Sequence, residues 1–156
     1  MISAYLLVKT IHILSSVLLV GTGFGTAFYL YFANRSGSLE AQAFVSRYVV
    51  LADWLFTTPA VIVQPLTGVI LAHWAGWPLT TPWLFWSIVL YVLAGACWLP
   101  VVWMQIELRR MANDALVRGE ALPARYWRLA RRWELLGYPA FVAMLAIYFL
   151  MVLKPS

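Results

Sequence analysis

The chain contains few charged residues, and cysteine and histidine are almost absent. Only 11% of its 156 residues are Asp, Glu, Lys or Arg, and it holds one cysteine and two histidines. The single cysteine, Cys97, excludes a disulfide within one chain and a metal site built from several thiolates. The sequence has no Gly-rich phosphate loop, nucleophile elbow, His-Glu-x-x-His motif or pair of deep carboxylates. Enzyme classes that these motifs define are therefore not indicated.

Apolar residues dominate instead, at 63% of the chain, and the mean hydropathy is +0.81. A soluble domain of this size cannot bury so much apolar surface. Four runs, at about 3–32, 48–74, 83–108 and 133–153, are long enough to cross roughly 30 Å of hydrocarbon as helices. The sequence predicts an all-α, four-helix transmembrane bundle with a single domain over 1–156. No cleavable signal is expected, because the first apolar run is too long for one.

The arginines predict the orientation of the bundle. All nine fall within the first and third connections, 33–47 and 109–132, whereas the middle connection is uncharged. The positive-inside rule then places both connections in the cytoplasm and both termini outside a bacterial cytoplasmic membrane. The basic residues are thus interpreted as a topology signal, with anionic lipid as a second interpretation and no nucleic acid as a partner.

Aromatic and acidic residues near the span ends complete this interpretation. Asp53 and Glu134 lie just inside the predicted cytoplasmic boundary, where arginines are expected to pair with them. Gln64 and Thr67 flank Pro65 and are expected to satisfy the backbone groups that this proline frees. Tryptophans form a predicted interfacial belt, with Trp74, Trp77, Trp83 and Trp86 outside and Trp127 and Trp133 inside.

The stretch YLLVKTIHIL, at 5–14, places two basic side chains in the first span. His12 is nine residues from Ser3 and hence roughly 14 Å deep at about 1.5 Å per residue. Lys9 lies about one turn shallower on the same face and is able to reach the surface. His73, near the end of the second span, and Met144, in the fourth, belong to the same outer half.

These residues suggest a heme site. Two imidazoles, or a histidine and a methionine, bind heme iron from opposite sides, and ionisable residues inside a membrane indicate function. We therefore predict heme b with His12 and His73 as axial ligands, Met144 as the reserve ligand and Lys9 beside a propionate. Alternatives remain open: an interhelical hydrogen bond for His12, an interfacial ring for His73 and simple packing for Met144.

Two terminal motifs resemble a known family. LLVKTIHIL, at 6–14, resembles the opening Lys-x-x-His-Ile of HemJ, and LMVLKPS, at 150–156, resembles its closing apolar run followed by Lys-Pro. The stretch 134–139 is similar to the fourth-helix Asn-Glu-x-Pro of HemJ, with a longer spacing. Wider relatives are CopD-type copper-resistance domains and an uncharacterised bacterial family of small integral membrane proteins, which the chain resembles most.

HemJ proteins are four-helix membrane proteins that bind heme b and are associated with oxidation of protoporphyrinogen. The resemblance implies a heme b role for His12, the residue at the matching position. HemJ has further histidines at the end of its first helix and in its third helix, but here the corresponding stretches 28–37 and 90–100 contain none. Protoporphyrinogen oxidation is therefore not carried over.

Three functions follow as hypotheses. The first is a heme b protein for electron transfer or for oxidation of a membrane-accessible substrate, such as a quinone or a porphyrin-like molecule. The second is a cofactor-free protein that handles copper, for which two histidines and a few methionines are suitably soft ligands. The third is a small structural or assembly subunit of a membrane complex. Whether the protein is an enzyme, or a homo-oligomer, is left open.

Overall fold

A computed structural model describes residues 3–155, which form long helices joined by short turns and contain no strand. The helices are α1 (Ala4–Arg35), α2 (Leu39–Ala52), a π-helical turn (Asp53–Thr57), α3 (Thr58–Trp74), α4 (Pro82–Arg118) and α5 (Ala124–Leu153). Because α2, the π-helical turn and α3 are continuous, four helical segments are long and apolar enough to cross a membrane. The predicted all-α, four-helix membrane fold is confirmed, while the orientation of the termini stays a prediction.

The helices extend beyond the predicted spans. Only 36–38 interrupt the helices in the first connection, and only 119–123 interrupt them in the third. Helix α4 has 37 residues and is thus about 55 Å long, which exceeds a hydrocarbon core of roughly 30 Å. Helix α4 is therefore longer than a crossing of the hydrocarbon core requires.

Local capping explains why these connections are so short. Ser38 begins α2, and its side-chain hydroxyl accepts a hydrogen bond from the Ala41 amide at 3.1 Å. Gly119 ends α4 in the left-handed region, with φ of 65°, and the Glu120 amide then donates to the Ala115 carbonyl at 3.0 Å. Glycine adopts this conformation without the clash that a Cβ atom would cause.

Most of the buried core lies towards the arginine-rich end, where α2, α4 and α5 meet. Trp133 belongs to this core and is only 5% exposed, and Trp83, in a smaller buried cluster, is only 7% exposed, so the predicted places of both rings in the aromatic belts are wrong. Helix α5 begins at Ala124, well before Trp133. The Trp133 ring therefore packs among the neighbouring helices rather than at the end of its own helix. The cluster consists of Leu30, Ala43, Val49, Val101, Met104, Leu108, Met111, Ala112, Tyr126, Leu129, Ala130 and Trp133.

The opposite end is held by aromatic rings around the C-terminal lysine. Trp77 and Trp83 meet edge to face, with ring centroids 5.7 Å apart. The Lys154 ammonium lies 5.7 Å from the first ring centroid and 5.4 Å from the second. Cation–π attraction of this kind joins the end of α5 to the α3–α4 turn.

The proline inside α3 is compensated from a neighbouring helix. Pro65 has no N–H to donate to the Val61 carbonyl one turn earlier, and the Tyr91 hydroxyl of α4 donates to that carbonyl at 2.7 Å. Gln64 and Thr67 do not serve this carbonyl, so the prediction that they compensate the proline is wrong. A side chain from another helix does so because an unpaired carbonyl in hydrocarbon is costly.

Replacing Tyr91 by Phe should therefore destabilise the bundle. We expect the free energy of unfolding to fall by about 1 kcal/mol, because the Val61 carbonyl loses its donor. Unfolding in mixed micelles with increasing sodium dodecyl sulfate, followed by circular dichroism, measures the change. Tyr148→Phe is the matched control. The Tyr148 hydroxyl contacts the Ser16 carbonyl at 3.1 Å, and this carbonyl already has a hydrogen-bond partner within α1. Equal losses in the two variants would contradict this account.

Candidate functional site

His12 lies half-buried where α1 packs on α3, and both its ring nitrogens have protein partners. Its Nδ1 is 2.8 Å from Thr67 Oγ1, and its Nε2 is 3.2 Å from Gln64 Nε2. The Thr67 hydroxyl donates to the Val63 carbonyl at 2.7 Å, so it accepts from an Nδ1–H. Nε2 then accepts from the Gln64 amide, whose oxygen accepts from the Ser15 hydroxyl. The network thus assigns a neutral imidazole with its proton on Nδ1.

A glycine makes this close approach of the two helices possible. A Cβ atom added at Gly68 would lie 3.2 Å from His12 Cε1, closer than apolar atoms normally approach. Small residues at helix contacts allow such close packing in membranes. His12, Gln64, Thr67 and Gly68 therefore form the α1–α3 contact at this level, and we call these four residues the histidine cluster.

The other predicted ligands lie elsewhere. His73 is exposed, and it is nine residues after Gln64 on α3, which turns it by about 180° to the opposite face of the helix. Lys9 is exposed, one turn from His12. Met144 lines an internal cavity to which neither histidine contributes. The structure therefore does not bring His73 or Met144 to His12.

This arrangement does not fit a heme held between His12 and His73. Iron at His12 would have to displace Thr67 or Gln64 from a ring nitrogen, and the second ligand would have to come from another residue. Across 3–155, no three His, Cys, Asp or Glu side chains gather closely enough to hold a metal ion. Heme binding by His12 with a different second ligand stays a prediction.

A cavity lies between α1, α4 and α5 and is also lined by the π-helical turn. Its volume is about 440 Å³, within the roughly 300–1,000 Å³ typical of small-molecule sites. Residues with little or no side chain leave this space open, among them Gly23, Ala27, Gly95, Gly137 and Ala140. Hydropathy could not locate this cavity, because it does not distinguish a packed interior from an open one.

The exposed part of the cavity wall lies on α1 and α5, two helices that make few contacts with each other. Aromatic side chains that are both exposed and part of the cavity wall mark the opening: Phe24, Phe28 and Phe32 on α1 and Tyr138 on α5. Four contacts join the two helices along the seam between them: Tyr148 to the Ser16 carbonyl, Phe24 stacked on Phe141 at 5.3 Å, Arg35 paired with Glu134 at 2.9 Å, and the Tyr126 hydroxyl donating to Asn34 Oδ1 at 2.6 Å.

One end of the cavity carries buried polar groups that lack partners. Asp53, only 4% exposed, accepts a hydrogen bond through Oδ1 from the Thr57 hydroxyl at 2.8 Å, whereas its Oδ2 has no partner. Gln105 of α4 is 5% exposed, and its Oε1 also has no partner. Both residues line the cavity, and we call this pair, with Thr57, the acceptor site.

The π-helical turn presents Asp53 at this point. The Thr58 amide donates to the Asp53 carbonyl, five residues earlier, rather than to the residue four earlier. Pro59 follows at the start of α3 and has no N–H to donate. Such π-helical turns often occur at functional sites. An Asp and a Thr four residues apart just before a proline are the sequence signal that could have identified this turn.

Of the two acidic residues predicted to pair with arginines, Glu134 forms an ion pair within residues 3–155 and Asp53 forms none there. Arg35 pairs with Glu134, which confirms the ion pair predicted for that glutamate. The remaining ion pairs of the described chain join Glu107 to Arg110 and to Arg125. The predicted arginine partner of Asp53 is therefore wrong: Asp53 is buried, and its hydrogen bond is with Thr57 of its own helical segment.

Comparison with known proteins supports the membrane assignment. A family model described as "Predicted integral membrane protein (DUF2269)" matches residues 6–155, so the chain belongs to this family. No curated protein matches the chain, and no solved structure does. The multi-pass membrane character is thereby supported, while the resemblances to HemJ and CopD are not confirmed and stay predictions.

Gly68→Ala should destabilise the histidine cluster. Its new Cβ would press on a His12 ring that hydrogen bonds hold on both sides, at an expected cost of about 1 kcal/mol, measured by unfolding in mixed micelles. In a His12→Ala background the same substitution should instead be neutral or stabilising, because alanine favours helix more than glycine. Gly21→Ala is the control, since a Cβ atom there meets nothing within 4 Å. An equal cost in both backgrounds would show that His12 is not the obstacle.

Proposed function

We propose that this member of the family binds an apolar small molecule that enters its internal cavity sideways from the lipid bilayer. One observation supports the proposal: a space of about 440 Å³ inside the bundle is walled by apolar side chains and ends at buried, unpartnered polar atoms. Ligand sites in proteins commonly combine an apolar wall with a few polar groups that fix orientation. The protein would thus act as a binding protein or carrier for such a molecule within the membrane.

The shape of the opening supports entry from lipid rather than from water. The exposed rings of Phe24, Phe28 and Phe32 lie along one side of the opening, and an apolar rim of this kind suits a molecule dissolved in hydrocarbon. Polar contacts close the seam at either end, through Tyr148 near one end and Arg35 with Glu134 near the other. Only the middle of the seam, where rings meet rings, is then available for passage.

The architecture also suggests how the site could be kept open. In hydrocarbon no hydrophobic effect draws two helices together, so a gap between them is not closed by exclusion of water. The firm packing lies instead at the arginine-rich end, around Leu108 and Tyr126, both fully buried. A bundle anchored at that end tolerates separation of α1 from α5 at the level of the cavity. The predicted quinone belongs to the class of apolar molecules that this site suits, and it stays a prediction.

Photolabelling in phosphatidylcholine nanodiscs tests the proposal, with a 12-carbon alcohol that carries a diazirine at its far end. Labelling of cavity residues such as Trp98 and Phe141 should saturate with probe concentration, whereas labelling of lipid-facing residues should rise linearly. Gly137→Leu fills the cavity and should weaken saturable labelling about tenfold, which corresponds to about 1.4 kcal/mol. Peptide mass spectrometry locates the labelled residues.

Gly21→Leu is the matched control, because Gly21 does not line the cavity and a Cβ atom there meets nothing within 4 Å. Gly95→Leu, on the opposite wall, repeats the test if Gly137→Leu fails to fold. Labelling of cavity residues that never saturates in the unaltered protein would refute the proposal. So would saturable labelling that both leucine substitutions leave intact.

A heme b site at His12 is a second candidate, favoured by the half-buried imidazole that the histidine cluster holds inside the membrane. The absorption spectrum of the protein purified from heme-supplied cells tests it. If His12 binds iron, a Soret band should be present and His12→Ala should abolish it, while Gly21→Ala should not. An unchanged spectrum in His12→Ala would exclude His12 as a ligand. The copper and assembly-subunit hypotheses also stay predictions.

A further inference from the structure

We infer that the ligand of the cavity carries a primary ammonium at the end of its apolar chain, and that the acceptor site binds this end. The inference rests on the proposed function, since the apolar chain of the ligand needs the cavity. It goes further in naming the chemical class of the polar end and the residues that recognise it. Asp53 and Gln105 are assigned as the binding residues and Thr57 as a positioning residue.

The unpartnered atoms of the site are both acceptors. Oδ2 of Asp53 and Oε1 of Gln105 are buried without a hydrogen-bond partner, although nearly all buried polar atoms in proteins have one. Leaving them unpaired carries the full cost of their desolvation. A ligand that supplies hydrogen-bond donors removes this cost, whereas a hydrocarbon or an acceptor such as a carboxylate does not.

Thr57 determines which oxygen of Asp53 is available. Its hydroxyl donates to Oδ1 at 2.8 Å, one turn along the same helical segment, and so leaves Oδ2 for a ligand. The π-helical turn holds both residues in this relation through the bond from the Thr58 amide to the Asp53 carbonyl. The carboxyl group is therefore oriented before any ligand arrives, which reduces the entropy lost on binding.

Charge selects an ammonium among the possible donors. Glu134 also lines the cavity, but Arg35 already neutralises it through two hydrogen bonds, at 2.9 and 3.2 Å. Among the ion pairs found over 3–155, none involves Asp53. Asp53 is thus an acid without a paired base in the wall of an apolar cavity, and a nearby cation favours the ionised form of such an acid. A primary ammonium has three N–H donors, enough for both unpartnered oxygens.

Competition against saturable photolabelling tests the inference. Dodecylamine, dodecan-1-ol and dodecanoic acid have the same chain and differ only in the polar end. The nanodiscs contain neutral phosphatidylcholine, and the amount of each competitor is expressed per lipid because all three partition into the bilayer. The amount of amine needed to compete should be at least tenfold lower than the amount of acid. The alcohol, a donor without charge, should lie between them.

Asp53→Asn should reduce the preference for the amine over the acid to less than about threefold while saturable labelling persists. Asp114→Asn, at an exposed acid outside the cavity, is the matched control and should keep the full preference. Thr57→Val should weaken the preference, and Thr57→Ser should restore it, because serine keeps the hydroxyl. If Asp53→Asn does not fold, Gln105→Met serves in its place, with an expected loss of preference of about threefold.

The outcomes separate this inference from the proposed function. Equal competition by amine and acid, or an amine preference that survives Asp53→Asn, overturns the inference but leaves the cavity site intact. Absence of saturable labelling in the unaltered protein overturns both. Phosphatidylethanolamine added to the nanodiscs identifies the source of the ammonium. If phosphatidylethanolamine competes as dodecylamine does, the site binds a lipid headgroup. If it does not compete, the site binds a single-chain amine.

Discussion

Every backbone carbonyl and amide inside a bilayer must find a partner within the protein, and this constraint governs the structure. Where Pro65 removes a donor, the hydroxyl of Tyr91 crosses from another helix to replace it. Just before Pro59, in the first turn of α3, the chain shifts to π-helical bonding across Asp53–Thr57. Each solution joins a backbone irregularity to a polar side chain, and the second of them places a carboxyl group beside the cavity.

The same environment explains why the bundle is dense at one end and open in the middle. Towards the arginine-rich end, apolar side chains of α2, α4 and α5 pack closely together, and Leu108 and Ala112 are fully buried there. Within hydrocarbon, lipid covers apolar side chains as well as a neighbouring helix does, so packing depends on shape and polar contacts. Small residues along α1, α4 and α5 then leave a cavity that the membrane does not collapse.

Sequence reasoning selected His12 because it is a deep ionisable residue, and the structure places it in a hydrogen-bonded network with Thr67 and Gln64. An interhelical hydrogen bond was one of the alternatives, but the sequence could not choose its partners. Asp53 was identified as well, yet it was assigned an arginine partner because charge proximity was judged along the chain. The rotation of each helix, which decides the actual partner, depends on packing with the others. For the same reason the sequence could not place Gln105 beside Asp53.

The sequence by itself determined the membrane character, the number of spans and the arginine-rich connections, because hydropathy and charge are sums over neighbouring residues. It also indicated where the chain turns between helices, since proline and glycine act through their own backbone. Only the tertiary structure decided which polar groups meet, as Asp53 and Gln105 do at one end of a cavity. That meeting depends on how helices distant in sequence rotate and tilt against one another, and close packing around small residues such as Gly68 sets those angles.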